Sequence, residues 1–307
     1  MIGVVGSSNM DIVLTVERFT NPGETQKAIS LEYFPGGKGA NQAVTAAKLS
    51  KKDVYFFTAL GNDDFGKNLA SNFDKLNIKG YIYTDLPTGR AYIEVTKNGC
   101  NRIIIFEGAN GFITPEIVEN KLDVLNEYKY FLLQNEIPFE TSLHIAKALK
   151  TKKKIIIFDP APAQNIEKEI FQYVDYFTPN EEEFKYLSNK FFGLNPEEKL
   201  KEALRRFFNL GIKNIILKQG EKEIILYNRN SILKIPVFKI ENVVDTTAAG
   251  DVFNGALAVA LEEGKSIKEA IQFASAAAGI AITKKGAQSS IPNREEVDKF
   301  LKNNNKG

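Results

Sequence analysis

The chain has very little of what soft-metal and disulfide chemistry requires. Its 307 residues include one cysteine, Cys100, and one histidine, His144. A single cysteine excludes an intrachain disulfide, and the two residues together cannot supply a Cys/His zinc site. Any metal must therefore be held by oxygen. Cys100 reads as a hairpin residue and His144 as a helix-surface residue, both inert. An excess of one charge is also missing: 40 Lys+Arg against 38 Asp+Glu leave a formal charge of +2. That balance gives no electrostatic case for nucleic acid or an anionic membrane as partner, so the expected partner is a small molecule. No apolar run approaches membrane-spanning length, and Met1 leads into Ile2-Gly3-Val4-Val5-Gly6 without a basic region or a small-residue cleavage site. The expected location is the cytoplasm. Repeats, linkers and low-complexity segments are missing too, apart from a polar tail at 302–307 that is expected to fray. What is present is an apolar share of 43%, enough to bury a substantial core.

From about Val124 onward, short β-branched runs alternate with amphipathic helical patterns, as in a parallel α/β sheet. Residues 130–133, 154–159, 176–178 and 214–217 are the expected buried strands. Between the last two, Asn195 can cap a helix with Pro196 at its first position and Glu197 and Glu198 in its first turn. Leu200, Ala203, Leu204, Phe207 and Phe208 form its apolar stripe, and Gly211 marks its end. The first third differs. Residues 11–16 and 91–96 alternate in the period of half-exposed strands, and 102–106 follow the turn Lys97-Asn98-Gly99, where an Asn-Gly step favours a hairpin. Such strands suit a small sheet projecting over the main cleft as a lid. Their apolar faces and unpaired edge need a cover, and a homodimer through the lids is the expected one.

The most informative stretch is Val244-Asp245-Thr246-Thr247-Ala248-Ala249-Gly250-Asp251-Val252-Phe253-Asn254-Gly255. Small residues at 248–250 let the backbone approach a ligand, and they run into a helical pattern carried by Phe253, Leu257, Ala260 and Leu261. Amides at such a helix start can face a phosphate. Asp251 then sits where the dipole favours an ionised side chain and a substrate hydroxyl can deliver its proton, which points to phosphoryl transfer.

The second stretch, Pro35-Gly36-Gly37-Lys38-Gly39-Ala40-Asn41-Gln42-Ala43, is a glycine-rich turn entering a helix. It fits neither the Walker nor the dinucleotide pattern. Taken alone it reads either as a tight turn or as a site where Gly37 offers bare backbone while Lys38 and Asn41 donate to hydroxyls. Asn9 and Asp11, beyond the apolar run 2–5, are a natural pair for vicinal hydroxyls and equally a strand-end turn.

Seven segments, in order, resemble the ribokinase-like (PfkB-type) sugar kinases over the full length of the chain: Gly6-Ser7-Ser8-Asn9-Met10-Asp11, Asn21-Pro22-Gly23-Glu24-Thr25, Gly36 to Ala43, Gln134-Asn135-Glu136, Pro179-Asn180-Glu181-Glu182-Glu183, Asp245 to Gly255 and Lys285-Gly286-Ala287-Gln288-Ser289-Ser290. The resemblance implies a single α/β domain over 1–307, a three-layer, doubly wound, mostly parallel sheet with a small β-sheet lid inserted at about 11–34 and 89–107. It implies ATP-dependent phosphorylation of D-ribose at O5, with a kinase of deoxyribose, another furanose or a nucleoside as the alternative. Residue by residue, Asn9, Asp11, Gly37, Lys38, Asn41 and Glu136 would hold the sugar, and Asp251 would be the base. The amides of Ala248, Ala249 and Gly250 would form the anion hole. Asn180 and Glu183 would help place magnesium and the nucleotide phosphates, Glu183 through water. Lys218 and Gly220 would contact the nucleotide. Asp245, the backbone at Thr247, Gly286 and Ser290 would bind an activating monovalent cation, best matched by potassium. Two departures stand out: Ala248-Ala249-Gly250 where the family commonly has Gly-Ala-Gly, and Glu223 where it often has a second glycine.

Overall fold

The computed structural model describes residues 1–304. Its larger sheet has eight strands in the order Ile232–Pro236, Glu223–Asn228, Asn214–Lys218, Tyr176–Phe177, Ile155–Phe158, Tyr130–Leu133, Ile2–Val5 and Val54–Phe57. The last six pair in parallel, and the first two form an antiparallel extension. The four strands expected from 124 onward are all present. The antiparallel pair at the edge and Val54–Phe57 were not expected.

The parallel strands are buried on both faces, because alternate side chains feed two separate cores. Ile2, Val4, Phe56, Leu132, Ile157 and Ile216 pack on one side with helices Lys38–Leu49, Asp64–Lys75, Ala249–Glu262 and Ile267–Ala281. Val5, Phe57, Phe131, Leu133, Phe158 and Ile215 pack on the other with helices Phe139–Thr151, Glu181–Phe192 and Pro196–Asn209. The last of these is capped by Asn195 with Pro196 in its first turn, as its sequence predicts.

A separate four-stranded sheet runs in the order Ser30–Gly36, Asn9–Val16, Gly89–Thr96, Asn101–Phe106. Every residue of the edge strand Asn101–Phe106 is exposed, which includes Ile103, Ile104, Ile105 and Phe106. Asn9 and Asp11 begin the strand Asn9–Val16 of this small sheet, and so project from a strand, not from a turn after Ile2–Val5. His144 lies on the helix Phe139–Thr151, its Nε2 2.6 Å from Glu119 Oε2, and Cys100 is exposed beside the hairpin turn. The expectation of a frayed tail needs correction: residues 302–304 continue the helix Arg294–Asn304, since Val297 anchors its inner face in the core. Residues 305–307 lie outside the described residues.

Candidate active site

The chain crosses from one side of Ile2–Val5 to the other: Val54–Phe57 is one neighbour and Tyr130–Leu133 the other. Such a switch point opens a crevice at the carboxyl ends of the strands. The segments leaving these ends carry Ser7, Gln134, Glu136 and, after Ile155–Phe158, Asp159.

The glycine-rich turn is pressed against the first of those segments. Gly37 has φ 88°, and a Cβ on it would stand 2.7 Å from the Asn9 nitrogen and 2.9 Å from the Ser8 Cα. A Cβ on Gly39 would meet the Ser7 nitrogen at 2.6 Å. These glycines allow backbone to lie on backbone, which brings Lys38, Asn41 and Gln42 over the strand ends. Ser7 Oγ and the Lys38 amide both donate to Glu136 Oε2, at 2.6 and 2.9 Å. Asn9 Oδ1 accepts from Asn110 Nδ2 at 2.8 Å, while Asn110 Oδ1 accepts from the Ser8 amide at 2.8 Å. Asp11 is almost fully buried, and a Cβ on Gly36 would lie 2.2 Å from its Oδ2. Burial, followed by the charges of Glu136 and Asp251, pushes the Asp11 carboxyl up to about 7 against the opposing pull of Lys38.

Asp251 is 4% exposed and stands in the first turn of the helix Ala249–Glu262. Asn41 Nδ2 donates to its Oδ2 at 3.0 Å and Gln42 Nε2 to its Oδ1 at 3.1 Å. Burial pushes its carboxyl above the usual range; Lys38 pulls it back and Asp159 adds to the rise. Burial alone would lower the Lys38 ammonium, but Asp251, Glu136, Asp159 and Glu183 surround it and hold it charged. Ala248 precedes the helix in a left-handed conformation, φ 61°. The three expected anion-hole amides are not equivalent. The Ala249 amide donates to Thr246 O at 3.2 Å, whereas among the described residues those of Ala248 and Gly250 meet no protein acceptor. Lys218 Nζ hangs over this helix start, 3.4 Å from where a Cβ on Gly250 would be and 3.5 Å from Asp159 Oδ1.

Asn180 and Glu183 form a reciprocal capping box on the helix Glu181–Phe192. The Asn180 amide donates to Glu183 Oε2 at 2.9 Å and the Glu183 amide to Asn180 Oδ1 at 2.8 Å. Burial and then Asp159 raise the Glu183 carboxyl. Asp159 Oδ1 is itself buried without a hydrogen-bond donor. Two crowded carboxyl groups, one with a buried oxygen that accepts no hydrogen bond and has the Lys218 ammonium at 3.5 Å, suit a hard divalent cation. Gly220, φ 60°, has open space on its Cα.

Asp245 ties two loops together: Oδ1 accepts from the Thr247 amide and Oδ2 from the Gly286 amide, both at 2.9 Å. Burial would raise its carboxyl, but the bonds from Thr247 and Gly286, with Lys285 nearby, hold it below the usual range. Ser290 Oγ donates to Ala287 O at 2.8 Å, which leaves its lone pairs free. Among the described residues no group of three or more His, Cys, Asp or Glu is placed to hold a metal. Asp245 with the backbone at Thr247 and Gly286 offers a carboxylate and backbone oxygens, donors of the kind that a weakly held monovalent cation takes.

The structure thus gathers Asn9, Asp11, Gly37, Lys38, Asn41, Glu136, Glu183, Lys218, Gly250 and Asp251 around one crevice. It adds Gln42, Asn110, Gln134 and Asp159, which sequence reasoning gave no role. Gln42 and Gln134 stood inside segments singled out for other residues, and Asp159 is the polar residue ending an apolar strand; that position was the available signal.

A family model described as pfkB family carbohydrate kinase matches residues 1–294. The ribokinase of Lactococcus lactis is 39% identical over 98% of this chain and 97% of its own length. Among solved structures, the ribokinase of Thermotoga maritima superposes with a TM-score of 0.92 at 57% identity, covering 98% of this chain and 99% of its own. The ribokinase of Arabidopsis thaliana, solved with ribose and ATP, gives 0.89 at 36% identity, covering 98% of each chain.

Proposed function

The chain belongs to the pfkB family of carbohydrate kinases, and from that premise we propose how its residues perform the reaction. It transfers the γ-phosphoryl group of ATP to D-ribose, giving ribose 5-phosphate and ADP. The observation that carries the site assignment is Asp251, a carboxylate buried at a helix start and gripped through both oxygens by Asn41 and Gln42.

Asn9, Asp11 and Glu136 hold the sugar hydroxyls, with Gly37, Lys38 and Asn41 completing the pocket. Asp11 and Glu136 act as acceptors, and the ammonium of Lys38 balances their charge. Asp251 takes the proton of the O5 hydroxyl as O5 bonds to the γ-phosphorus and the bond from that phosphorus to the β–γ bridging oxygen breaks. The leaving electron pair departs on ADP. Lys218 and the free amides of Ala248 and Gly250 stabilise the charge on the transferred group, and Ala249 joins them if its turn opens. Asn180 shapes the start of the helix that presents Glu183, and Gly220 leaves room for the nucleotide. Asp159 and Glu183 are the side chains that would hold, through water, a magnesium ion brought with ATP, which when bound would supply neutralisation of phosphate charge. A monovalent cation, potassium by its donor set, is proposed at Asp245, Thr247, Gly286 and Ser290, beside the anion-binding turn.

We place the enzyme in the cytoplasm, where ATP is available; no helix among the described residues is long and apolar enough to cross a membrane. The exposed edge strand Asn101–Phe106, with Tyr92 on the adjacent strand and Leu31 and Tyr33 on the opposite edge strand Ser30–Gly36, supports a homodimer through the small sheets acting as lids. Light scattering at micromolar concentration should return a dimer mass, and a monomer mass overturns that arrangement.

The substrate is tested by measuring ADP release with ribose, deoxyribose, fructose and adenosine, with and without potassium. Ribose should give the highest kcat/KM. If adenosine or deoxyribose is preferred, the sugar assignment fails.

A further inference from the structure

Gln42 is completely buried on the helix Lys38–Leu49. Its single side-chain nitrogen donates to Asp251 Oδ1 and to Asp159 Oδ2, both at 3.1 Å. Its side-chain oxygen accepts from Gln134 Nε2 at 2.7 Å. Its amide nitrogen and oxygen are thus engaged by three residues from three separate segments of the chain. Turning the amide over would set its oxygen against two carboxylates and its nitrogen against a donor, so only one orientation is tolerable. Position 6 makes room for this lock, since a Cβ on Gly6 would come 2.0 Å from Gln134 Oε1. Asp159 extends the chain of contacts to Lys218 Nζ at 3.5 Å.

We propose that Gln42 is a positioning residue for phosphoryl transfer: its amide fixes the Asp251 carboxylate and links it to the Asp159–Lys218 pair, and Gln134 locks the amide in place. This rests on the ribose-kinase reading above. Asn41 holds one oxygen of the base and Gln42 the other, so the carboxylate keeps a single rotamer before substrate arrives. One amide shared by two carboxylates also keeps these like charges at a set separation, with the phosphate-side lysine on the far carboxylate.

The test compares full-length wild type, Gln42→Met and Gln134→Met. It measures kcat and ribose KM across pH and thermal melting for each. Gln42→Met should lower kcat by about 100-fold while ribose KM stays within about threefold, because the loss is one of geometry at the base. The acidic limb of its kcat profile should move to higher pH, since a carboxylate that loses a donor protonates more readily. Gln134→Met should show the same pattern with a loss of about tenfold, corresponding to one indirect hydrogen bond. If Gln42→Met does not fold, Gln134→Met decides alone. A kcat within about twofold of wild type with an unmoved acidic limb overturns the proposal. So does a loss of kcat matched by equal loss of ribose affinity and no pH shift, which marks a merely structural role. Failure of wild type to phosphorylate ribose overturns the functional reading instead, a result distinct from either of these.

Discussion

Gly255 lies against Thr45 so closely that a Cβ on it would stand 2.6 Å from the Thr45 Cβ and 2.7 Å from the Gln42 carbonyl oxygen. The contact joins the helix bearing Asp251 to the helix bearing Asn41 and Gln42, one turn from where the three side chains meet. Gly255→Ala should therefore separate the helices. Overpacking of this kind costs about 1–3 kcal/mol, so denaturant unfolding should show a loss in that range together with reduced kcat. Unchanged stability would mean that the helices part freely and that the glycine does not set the site.

Asp251→Asn should keep the site's shape while removing its base. General-base catalysis contributes about 10²- to 10⁴-fold, so kcat should fall by that factor with ribose affinity within a few-fold of wild type. A near-normal kcat would remove Asp251 from the mechanism.

Ribose binding should depend on pH through Asp11. Its carboxyl is pushed from 3.8 up to about 7 by burial and by the charges of Glu136 and Asp251, with Lys38 opposing. The ionised form accepts hydroxyls on both oxygens, so calorimetry should show ribose affinity rising as pH rises through about 7. Asp11→Asn should abolish that inflection and weaken binding. Folding responds with the opposite sign: the native state holds this proton more tightly than the unfolded chain. Its stabilising contribution is full below 3.8 and is lost as pH rises through about 7.

Glu183→Gln separates two roles of one residue. Glutamine at this position of a capping box still reaches the Asn180 amide, so the melting temperature should hold. The charge is lost, and titration of activity with magnesium should show a higher half-saturating concentration. An unchanged magnesium dependence would leave Glu183 as a helix cap alone.

Asp245→Ala cuts the ties to the Thr247 and Gly286 amides. Wild-type kcat should rise on adding potassium, and the variant should have a lower kcat that potassium no longer raises. Equal stimulation of both proteins would place the cation elsewhere.

Much of the site is legible in sequence because backbone requirements leave marks there. Gly37 and Gly39 are fixed by close backbone approach, and Ala248-Ala249-Gly250 by a helix start that leaves the Ala248 and Gly250 amides without an acceptor among the described residues. Asn180 and Glu183, singled out in sequence for magnesium and the nucleotide, also form a capping box, which their sequence reading did not include. Gln42, Gln134, Asp159 and Asn110 were not legible as site residues. Each is an ordinary polar residue within a helix or beyond a strand, and its meaning comes from partners 92 to 210 positions away in sequence for Gln42 and its neighbours.

The sequence by itself determined the α/β alternation, the half-exposed strands of the small sheet and the two glycine-rich turns, since period and backbone freedom are local properties. Only the tertiary structure decided that Asp251 is held by Asn41 and Gln42, that Lys218 stands over Gly250, and that Asp11 retains its proton up to about 7. Those facts depend on burial and on charges brought together across the sheet's switch point, and no local pattern records either.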